Sequence, residues 1–105
     1  MVYVVQETNG KNLSPAREYG ELEVLLPSAQ ILWSPGPSIF RLKQKLQNFC
    51  DDDYLLLIGD PIAIALAAMV ASQSNQGKVN FLKWDKQEHR YNLVKSELRR
   101  KTTDL

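Results

Sequence analysis

The chain has 105 residues, with 13 Lys and Arg side chains against 12 Asp and Glu, so its net charge is close to zero. Its 44% hydrophobic and 24% charged residues are the proportions of an ordinary globular domain, which excludes collagen-like, disordered and coiled-coil chains. This length suits a single domain, residues 1–105, with one hydrophobic core.

Cysteine content and apolar runs predict a cytoplasmic protein. Cys50 is the only cysteine, so no disulfide can form within the chain, and such proteins are typical of reducing compartments. No uncharged apolar run reaches the ~18 residues that a membrane-spanning helix needs, so we expect no membrane association.

The first quarter of the chain predicts strands and a long loop. Val2 to Gln6 is β-branched and aromatic, as in a strand. Thr8 to Tyr19 is rich in turn residues and predicts a loop of unusual length, which is either mobile or used in function. Glu21 to Leu26 has the alternation of a half-buried strand, and Gln30 to Trp33 is a second, short candidate strand.

An amphipathic helix is predicted next. Pro35-Gly36-Pro37 ends any strand, and Gly36 or Ser38 is the predicted N-cap. The helix has one apolar stripe, formed by Ile39, Leu42, Leu46 and Phe49. Three aspartates starting at Asp51 would oppose the negative end of the helix dipole, so we expect the helix to end by Asn48 to Cys50.

The following strand and helix are both strongly apolar. Tyr54 to Ile58 is a continuous apolar run, typical of a strand buried on both faces. The turn Gly59-Asp60-Pro61 then provides Asp60 as the predicted N-cap and Pro61 in the first helical position. Ile62 to Ala71 is apolar all round, which predicts a helix packed on several sides.

The remaining elements complete a predicted sheet. Lys78 to Trp84 and Arg90 to Lys95 are strands that Asp85 to His89 joins as a hairpin, and residues 96–105 form a charged tail that frays or extends the last strand. Residues 30–84 therefore have the order strand, helix, strand, helix, strand, whose crossovers make the strands parallel. The hairpin and the first two strands are expected to add antiparallel pairs. The predicted fold is α/β, with a mixed, mostly parallel sheet.

Two turns at strand ends are candidate anion sites. Open α/β sheets bind ligands beyond the carboxyl ends of their strands, where helix starts offer free amides. The candidate residues for a phosphate or carboxylate are Ser34, Gly36, Ser38 and Gly59. Asp60 adds an opposing charge, and neither a P-loop nor a dinucleotide-binding glycine pattern is present. Two ordinary helix starts are the simpler interpretation.

Few residues suit catalysis or metal binding. His89 is the only histidine and lies in the predicted hairpin turn. A typical structural zinc site needs four cysteine or histidine ligands, so one cysteine and one histidine exclude it. The run Asp51 to Asp53 suggests a hard cation, but neighbouring strand residues alternate faces, and a solvated turn is the simpler interpretation. We predict a non-enzymatic protein with no catalytic residue, metal or cofactor.

The C-terminal part of the chain is basic. Residues 78–101 hold eight basic and three acidic side chains, whereas residues 1–40 hold two basic and four acidic ones. Aromatic residues alternate with the basic ones, an arrangement that can bind a nucleic acid through its phosphates and stacked bases. An acidic protein could pair with the same basic residues. A solvent-exposed face with no partner is the third interpretation. The candidate contact residues are Lys83, Trp84, Lys86, Arg90, Tyr91, Arg99, Arg100 and Lys101.

The run from Asp52 to Pro61, with the Ala-rich helix and Val79 to Asp85 behind it, resembles small proteins of marine tailed bacteriophages, including those that infect cyanobacteria. Tyr3 to Glu7 and Leu13 to Ala16 extend this resemblance over most of the chain. That family brings no established activity, cofactor or catalytic residue. The resemblance implies a protein that acts in an infected bacterial cytoplasm and binds a host or phage macromolecule.

Three hypotheses stand at this point. The leading one is a small non-enzymatic binding protein whose hairpin and tail contact an unidentified protein or nucleic acid. The second is a ligand-binding or enzymatic domain with an anion in the crevice between Ser34–Ser38 and Gly59-Asp60. The third is a structural homo-oligomer in which the helix from Ile62 to Ala71 is buried between subunits.

Overall fold

The computed structural model describes residues 1–28 and 35–98 of the chain. Five strands, two α-helices and one 3₁₀ helix make up this part. In chain order they are β1 (Val2–Gln6), the 3₁₀ helix (Ser14–Tyr19), β2 (Leu22–Leu26), α1 (Gly36–Lys45), β3 (Tyr54–Leu56), α2 (Pro61–Ser74), β4 (Lys78–Asp85) and β5 (Arg90–Glu97). The predicted strand Gln30 to Trp33 and the candidate residues Ser34, Arg99, Arg100 and Lys101 lie outside the described residues.

The five strands form one mixed sheet in the order β2-β1-β3-β4-β5. Neighbours from β2 to β4 pair in parallel, and β4 and β5 form the predicted antiparallel hairpin. The α/β class with a mixed, mostly parallel sheet is therefore confirmed. The prediction that the first two strands pair antiparallel is wrong, because Val2 lies opposite Leu22 and Val4 opposite Val24 in parallel register. The long segment between these strands returns the chain to its starting direction, as a parallel crossover requires.

The sheet separates two groups of buried side chains. On one side, which we call the helical face, α1 and α2 cover residues such as Val5, Leu55 and Val79. On the other side, which we call the loop face, the 3₁₀ helix and its neighbours cover Val4 and Leu82. Both α-helices thus lie on the same side of the sheet, and the long loop between β1 and β2 covers part of the other side.

The ends of α1 differ from the sequence prediction. Pro35 precedes the helix with no side-chain capping bond, and Gly36 and Ser38 already lie within the first turn, so neither is the N-cap. Pro35 itself has helical φ and ψ angles, and this backbone conformation starts the helix without a polar cap. The helix ends at Lys45, and Leu46 and Phe49 are buried in the turn behind it.

The start of α2 is as predicted, but its packing is not. The Asp60 carboxylate accepts a hydrogen bond of 2.8 Å from the Ile62 amide and is the N-cap. The prediction that α2 is packed on several sides is wrong, because Ile62 and Met69 are 56% and 67% exposed. Since α1 and α2 lie side by side on one face of the sheet, α2 buries only the side that meets the sheet and α1.

The turn of the β4–β5 hairpin is organised by one carboxylate. Asp85 Oδ1 accepts hydrogen bonds from the amides of Gln87 and Glu88, and its Oδ2 accepts one from the Asn92 side chain. His89 closes the turn with a φ of 53°, in the left-handed region. A short acidic side chain that bonds the backbone two and three residues ahead is a common way to hold such a turn.

We expect Asp85→Ala to weaken the hairpin at neutral pH and to have little effect in acid. The hydrogen bond from the Glu88 backbone, with those from Asn92 and Gln87, holds the pKa of Asp85 below its usual value. A carboxyl with a lowered pKa stabilises the fold above its unfolded-state pKa of about 3.9, and this contribution is lost as the pH falls through the folded-state value. Thermal unfolding followed by circular dichroism at about pH 7 and about pH 2 measures the difference.

The matched control for this prediction is Glu88→Ala, which removes an exposed carboxylate from the same turn but keeps the backbone amide that Asp85 binds. We expect this control to change the unfolding midpoint little at either pH. A deficit of Asp85→Ala that is equally large at both pH values would contradict the assigned role of the ionised carboxylate.

Candidate functional site

A pocket opens on the loop face at the carboxyl ends of β3 and β4. It has a volume of about 530 Å³ and lies between the backbone segment Leu56 to Ile58, the aromatic pair Trp84 and Tyr91, and the loop that follows β1. In open α/β sheets, ligands bind beyond the carboxyl ends of the parallel strands. The pocket therefore lies at the carboxyl ends of the strands, where sheets of this kind bind ligands, but on the face opposite α1 and α2.

Trp84 is the exposed aromatic residue of this pocket. Its ring lies 5.0 Å from the Tyr91 ring and 6.3 Å from the His89 ring, both in edge-to-face geometry, and 38% of the residue remains exposed. Tyr91 lies directly opposite Trp84 in the hairpin and is buried, and this burial raises the pKa of its phenol. The indole is thus held by its neighbours while part of its surface stays open to a ligand.

Tyr91 is in turn fixed by the 3₁₀ helix. The Tyr19 hydroxyl donates a 2.9 Å hydrogen bond to the Tyr91 carbonyl, and the Tyr19 ring packs on Tyr54 with 5.3 Å between centroids. These contacts tie the helix at the end of the β1–β2 loop to the hairpin. The same loop supplies Lys11 and Asn12 to the pocket wall, so its length has a structural use.

The charged residues in the pocket wall are both lysines. Lys11 comes from the loop behind β1 and Lys86 from the hairpin turn. Neither lysine forms a salt bridge within residues 1–28 and 35–98. An open aromatic surface in the same pocket as two cations can stack on a flat ring and attract a negatively charged group bound to that ring.

The structure brings together only part of the predicted contact set. Trp84, Lys86 and Tyr91 meet at the pocket, whereas the hairpin register puts Lys83 and Arg90 on the helical face, on the same side as Phe81. All of them stay predictions as binding residues. Sequence analysis missed Lys11 and Asn12, and the available signal was the unusual length of the loop that carries them.

The candidate anion site at the start of α2 has donors that are already used. Asp60 Oδ1 accepts from the Ile62 amide, and the side-chain oxygen of Gln6 accepts a 2.7 Å hydrogen bond from the Asp60 amide. Gly59 lies against the Gln6 side chain. Gly36 and Ser38 lie in the first turn of α1. These contacts favour an ordinary capped helix start at α2, and the anion site itself stays a prediction.

The aspartate run has structural partners. Asp53 is buried and accepts a hydrogen bond from the Cys50 amide, and Asp51 accepts one of 2.9 Å from the Asn75 side chain. Asp52 is exposed. In the described part of the chain, no group of three or more histidine, cysteine or acidic residues has a geometry that could hold a metal ion.

These features define a small α/β protein with a five-stranded mixed sheet, two helices on one face and an aromatic pocket with two lysines on the other. The chain belongs to the Phage Pam3 gp32-like protein family, whose family model matches residues 1–98. The resemblance to small phage proteins is thereby confirmed. Comparison with curated proteins and with solved structures gave no match. Among residues 1–28 and 35–98, no helix is long and apolar enough to cross a membrane.

Proposed function

We propose that this phage protein is a non-enzymatic binding protein that takes up single-stranded nucleic acid at the pocket beside Trp84. The observation that carries the proposal is that the partly exposed side chain of Trp84 lines the same pocket as Lys11 and Lys86. One base stacks on Trp84, and the phosphates on either side of that base approach the two lysines.

The size and chemistry of the pocket support a base as the bound group. A volume of about 530 Å³ lies within the range of pockets that hold small organic molecules. Stacking of a base on an aromatic side chain contributes roughly 1–3 kcal/mol and tolerates any base, because every base has a flat face. The bases of a duplex are already stacked on each other, so the proposal is specific for a single strand.

The positions of the reactive side chains support a binding role over catalysis. Cys50 lies beside Asp53 next to the start of β3, whereas His89 lies in the hairpin turn beyond the end of β4. Because β3 and β4 are parallel, these two residues lie at opposite ends of the strands and cannot act as a nucleophile and its base. The side chains in the pocket wall are aromatic, apolar or those of lysines, with Asn12 as a neutral amide.

A fluorescence titration tests the proposal directly. Trp33→Phe removes the other tryptophan, so that the remaining signal comes from Trp84 alone. We expect a mixed-sequence single-stranded oligonucleotide of about 12 nucleotides to quench this signal, with an affinity that weakens as salt rises, by a slope of about −0.7 per phosphate contacted. A duplex of the same sequence is expected to bind without quenching or not at all.

Two variants and one matched control locate the site. We expect Trp84→Ala to weaken single-strand binding by about 5-fold to 150-fold, the loss of one stacked base. Lys11→Ala with Lys86→Ala is expected to reduce the salt slope by about 1.4 units, since two phosphate contacts are lost. The control Lys83→Ala removes an exposed lysine from the helical face of the same hairpin and is expected to change neither quantity.

Two outcomes would overturn the proposal. Absence of binding at low salt would remove nucleic acid as the ligand and would leave an acidic protein surface as the partner for the same lysines. Equal losses in Lys83→Ala and in the lysine double variant would show that binding follows net charge and does not use this pocket.

A further inference from the structure

Among residues 1–28 and 35–98, no segment covers the outer side of α2, which is an apolar surface. Ile62 is 56% exposed and Met69 is 67% exposed, while Leu66 is half-buried between them on the same side of the helix. These residues have the spacing i, i+4 and i+7, which defines one continuous stripe along a helix. We call Ile62, Ala65, Leu66 and Met69 the α2 stripe.

The α2 stripe differs from the outer side of an ordinary surface helix. No charged residue occurs in the sequence between Asp60 and Lys78. A helix that lies on a sheet normally carries polar or charged residues on its solvent side, and contiguous exposed apolar residues mark an interaction surface. The stripe also borders an open apolar groove of about 640 Å³ that Phe81 and Leu98 help to line.

We propose that a second copy of this chain covers the α2 stripe, with the two α2 helices packed antiparallel about a two-fold axis. In a two-fold interface each surface meets its own copy, so it must be complementary to itself. A stripe without charge meets this condition, because two copies approach without placing like charges against each other.

The spacing within the stripe suits this symmetry. If the axis passes between Ala65 and Leu66, Ile62 of one copy faces the partner's Met69, and Met69 faces the partner's Ile62. The two large exposed side chains therefore contact each other twice in the same interface. Ala65 at the crossing point adds no bulk, which allows the two helix backbones to approach closely.

Charges at the ends of the stripe favour the antiparallel arrangement. Antiparallel helices place the start of one helix beside the end of the other, which is also the favourable arrangement of their dipoles. Asp60 lies at the start of α2, and Lys43 lines the groove together with Gln73 near the end of α2. Each Asp60 thus approaches the Lys43 end of the other copy, and this opposite-charge approach occurs twice by symmetry.

Sedimentation equilibrium of the purified full chain tests this proposal. Between about 1 and 100 µM we expect the average mass to rise from that of the 12.0 kDa chain towards twice that value. Ile62→Glu and Met69→Lys are each expected to weaken dimerisation at least about tenfold, because each places a charge against an apolar side chain. The combined variant places opposite charges at the two facing positions and is expected to recover most of the loss.

The matched control is Phe40→Ser, which removes a 64% exposed apolar side chain from α1 that does not line the groove. We expect this control to dimerise as the unmodified chain does, and circular dichroism establishes that all variants are folded. A monomer mass at every concentration would overturn the proposal and would leave another protein as the occupant of the stripe. A dimer that Ile62→Glu leaves unchanged, or that Phe40→Ser weakens equally, would also overturn it.

Discussion

We expect Gly59→Ala to lower the free energy of unfolding by about 3 to 5 kcal/mol. Gly59 has a φ of 124°, a backbone conformation that essentially only glycine adopts. A Cβ atom at this position would lie 2.5 Å from Gln6 Cβ and 2.7 Å from Gln6 Oε1. The substitution therefore combines backbone strain with an overlap against the buried end of β1.

Gly10→Ala is the matched control for this prediction. Gly10 also has a positive φ, of 79°, but a Cβ atom there would meet no atom within 4 Å. Like Gly59→Ala, the control reduces the backbone freedom of the unfolded chain and places alanine at a positive φ. We expect it to lower the free energy of unfolding by only about 1 kcal/mol. Urea unfolding of both variants at one fixed protein concentration gives the two values, because dimer dissociation would make the midpoint depend on concentration.

The contact with Gln6 also determines whether a second substitution can compensate. The atom closest to the added methyl group is Gln6 Cβ, which Gln6→Ala retains. The combined variant is therefore expected to recover little stability. If Gly59→Ala were no more harmful than Gly10→Ala, the end of β1 would have to move aside easily, and the packing described here would be wrong at this point.

We expect Leu55→Ala to lower the free energy of unfolding by about 2 to 5 kcal/mol, the usual cost of a cavity in a well-packed core. Leu55 is fully buried on the helical face. It lies in the central strand β3, where it pairs with Tyr3 of β1 and Phe81 of β4. Rigid strands on both sides and helices above limit how far the site can collapse around the lost side chain.

Leu93→Ala provides the comparison for a leucine at the edge of the same sheet. Leu93 lies in β5, the last strand in the order of the described sheet, and it is 38% exposed. Because the surroundings already admit solvent, we expect this substitution to cost about 1 kcal/mol or less. Equal losses for the two variants in urea unfolding would mean that β3 is not the centre of the core.

Several elements of the fold were predictable from local sequence because their signals are local. The β-branched run after Met1, the apolar run from Tyr54 and the alternation on both sides of Asp85 identify strands by the residues that suit a pleated surface. The N-cap at Asp60 was predictable because a carboxylate followed by proline satisfies the first free amides of a helix. These contacts depend on residues a few positions apart.

Strand direction was not predictable in the same way. The chain between β1 and β2 has the turn residues of an irregular loop, and nothing in it distinguishes a return to the neighbouring position in parallel from one in antiparallel. The parallel direction of β2 follows from the 3₁₀ helix, which packs Ala16 and Tyr19 against the loop face. This packing returns the chain to the end of the sheet at which β1 begins. This packing involves residues far apart in the sequence.

The same limit applies to the candidate site. The composition of the hairpin indicated Trp84, Lys86 and Tyr91 as residues able to contact a partner, because charge and aromatic character follow directly from the residue type. They share a pocket with Lys11 because the loop after β1 reaches the end of β4, and these segments are far apart in the sequence. For the same reason the outer side of α2 was predicted to be buried, since composition measures how apolar a helix is but not how many neighbours cover it.

The sequence by itself therefore determined the five strands and two α-helices of the described residues, the α/β class, the N-cap of α2 and the chemical character of the C-terminal hairpin. Each of these rests on side chains close together in the chain. The tertiary structure alone decided the parallel pairing of β1 and β2, the pocket that joins Lys11 to Trp84, and the exposure of the α2 stripe. Each of these depends on which distant segments meet, and that is decided by how the whole chain buries its apolar surface.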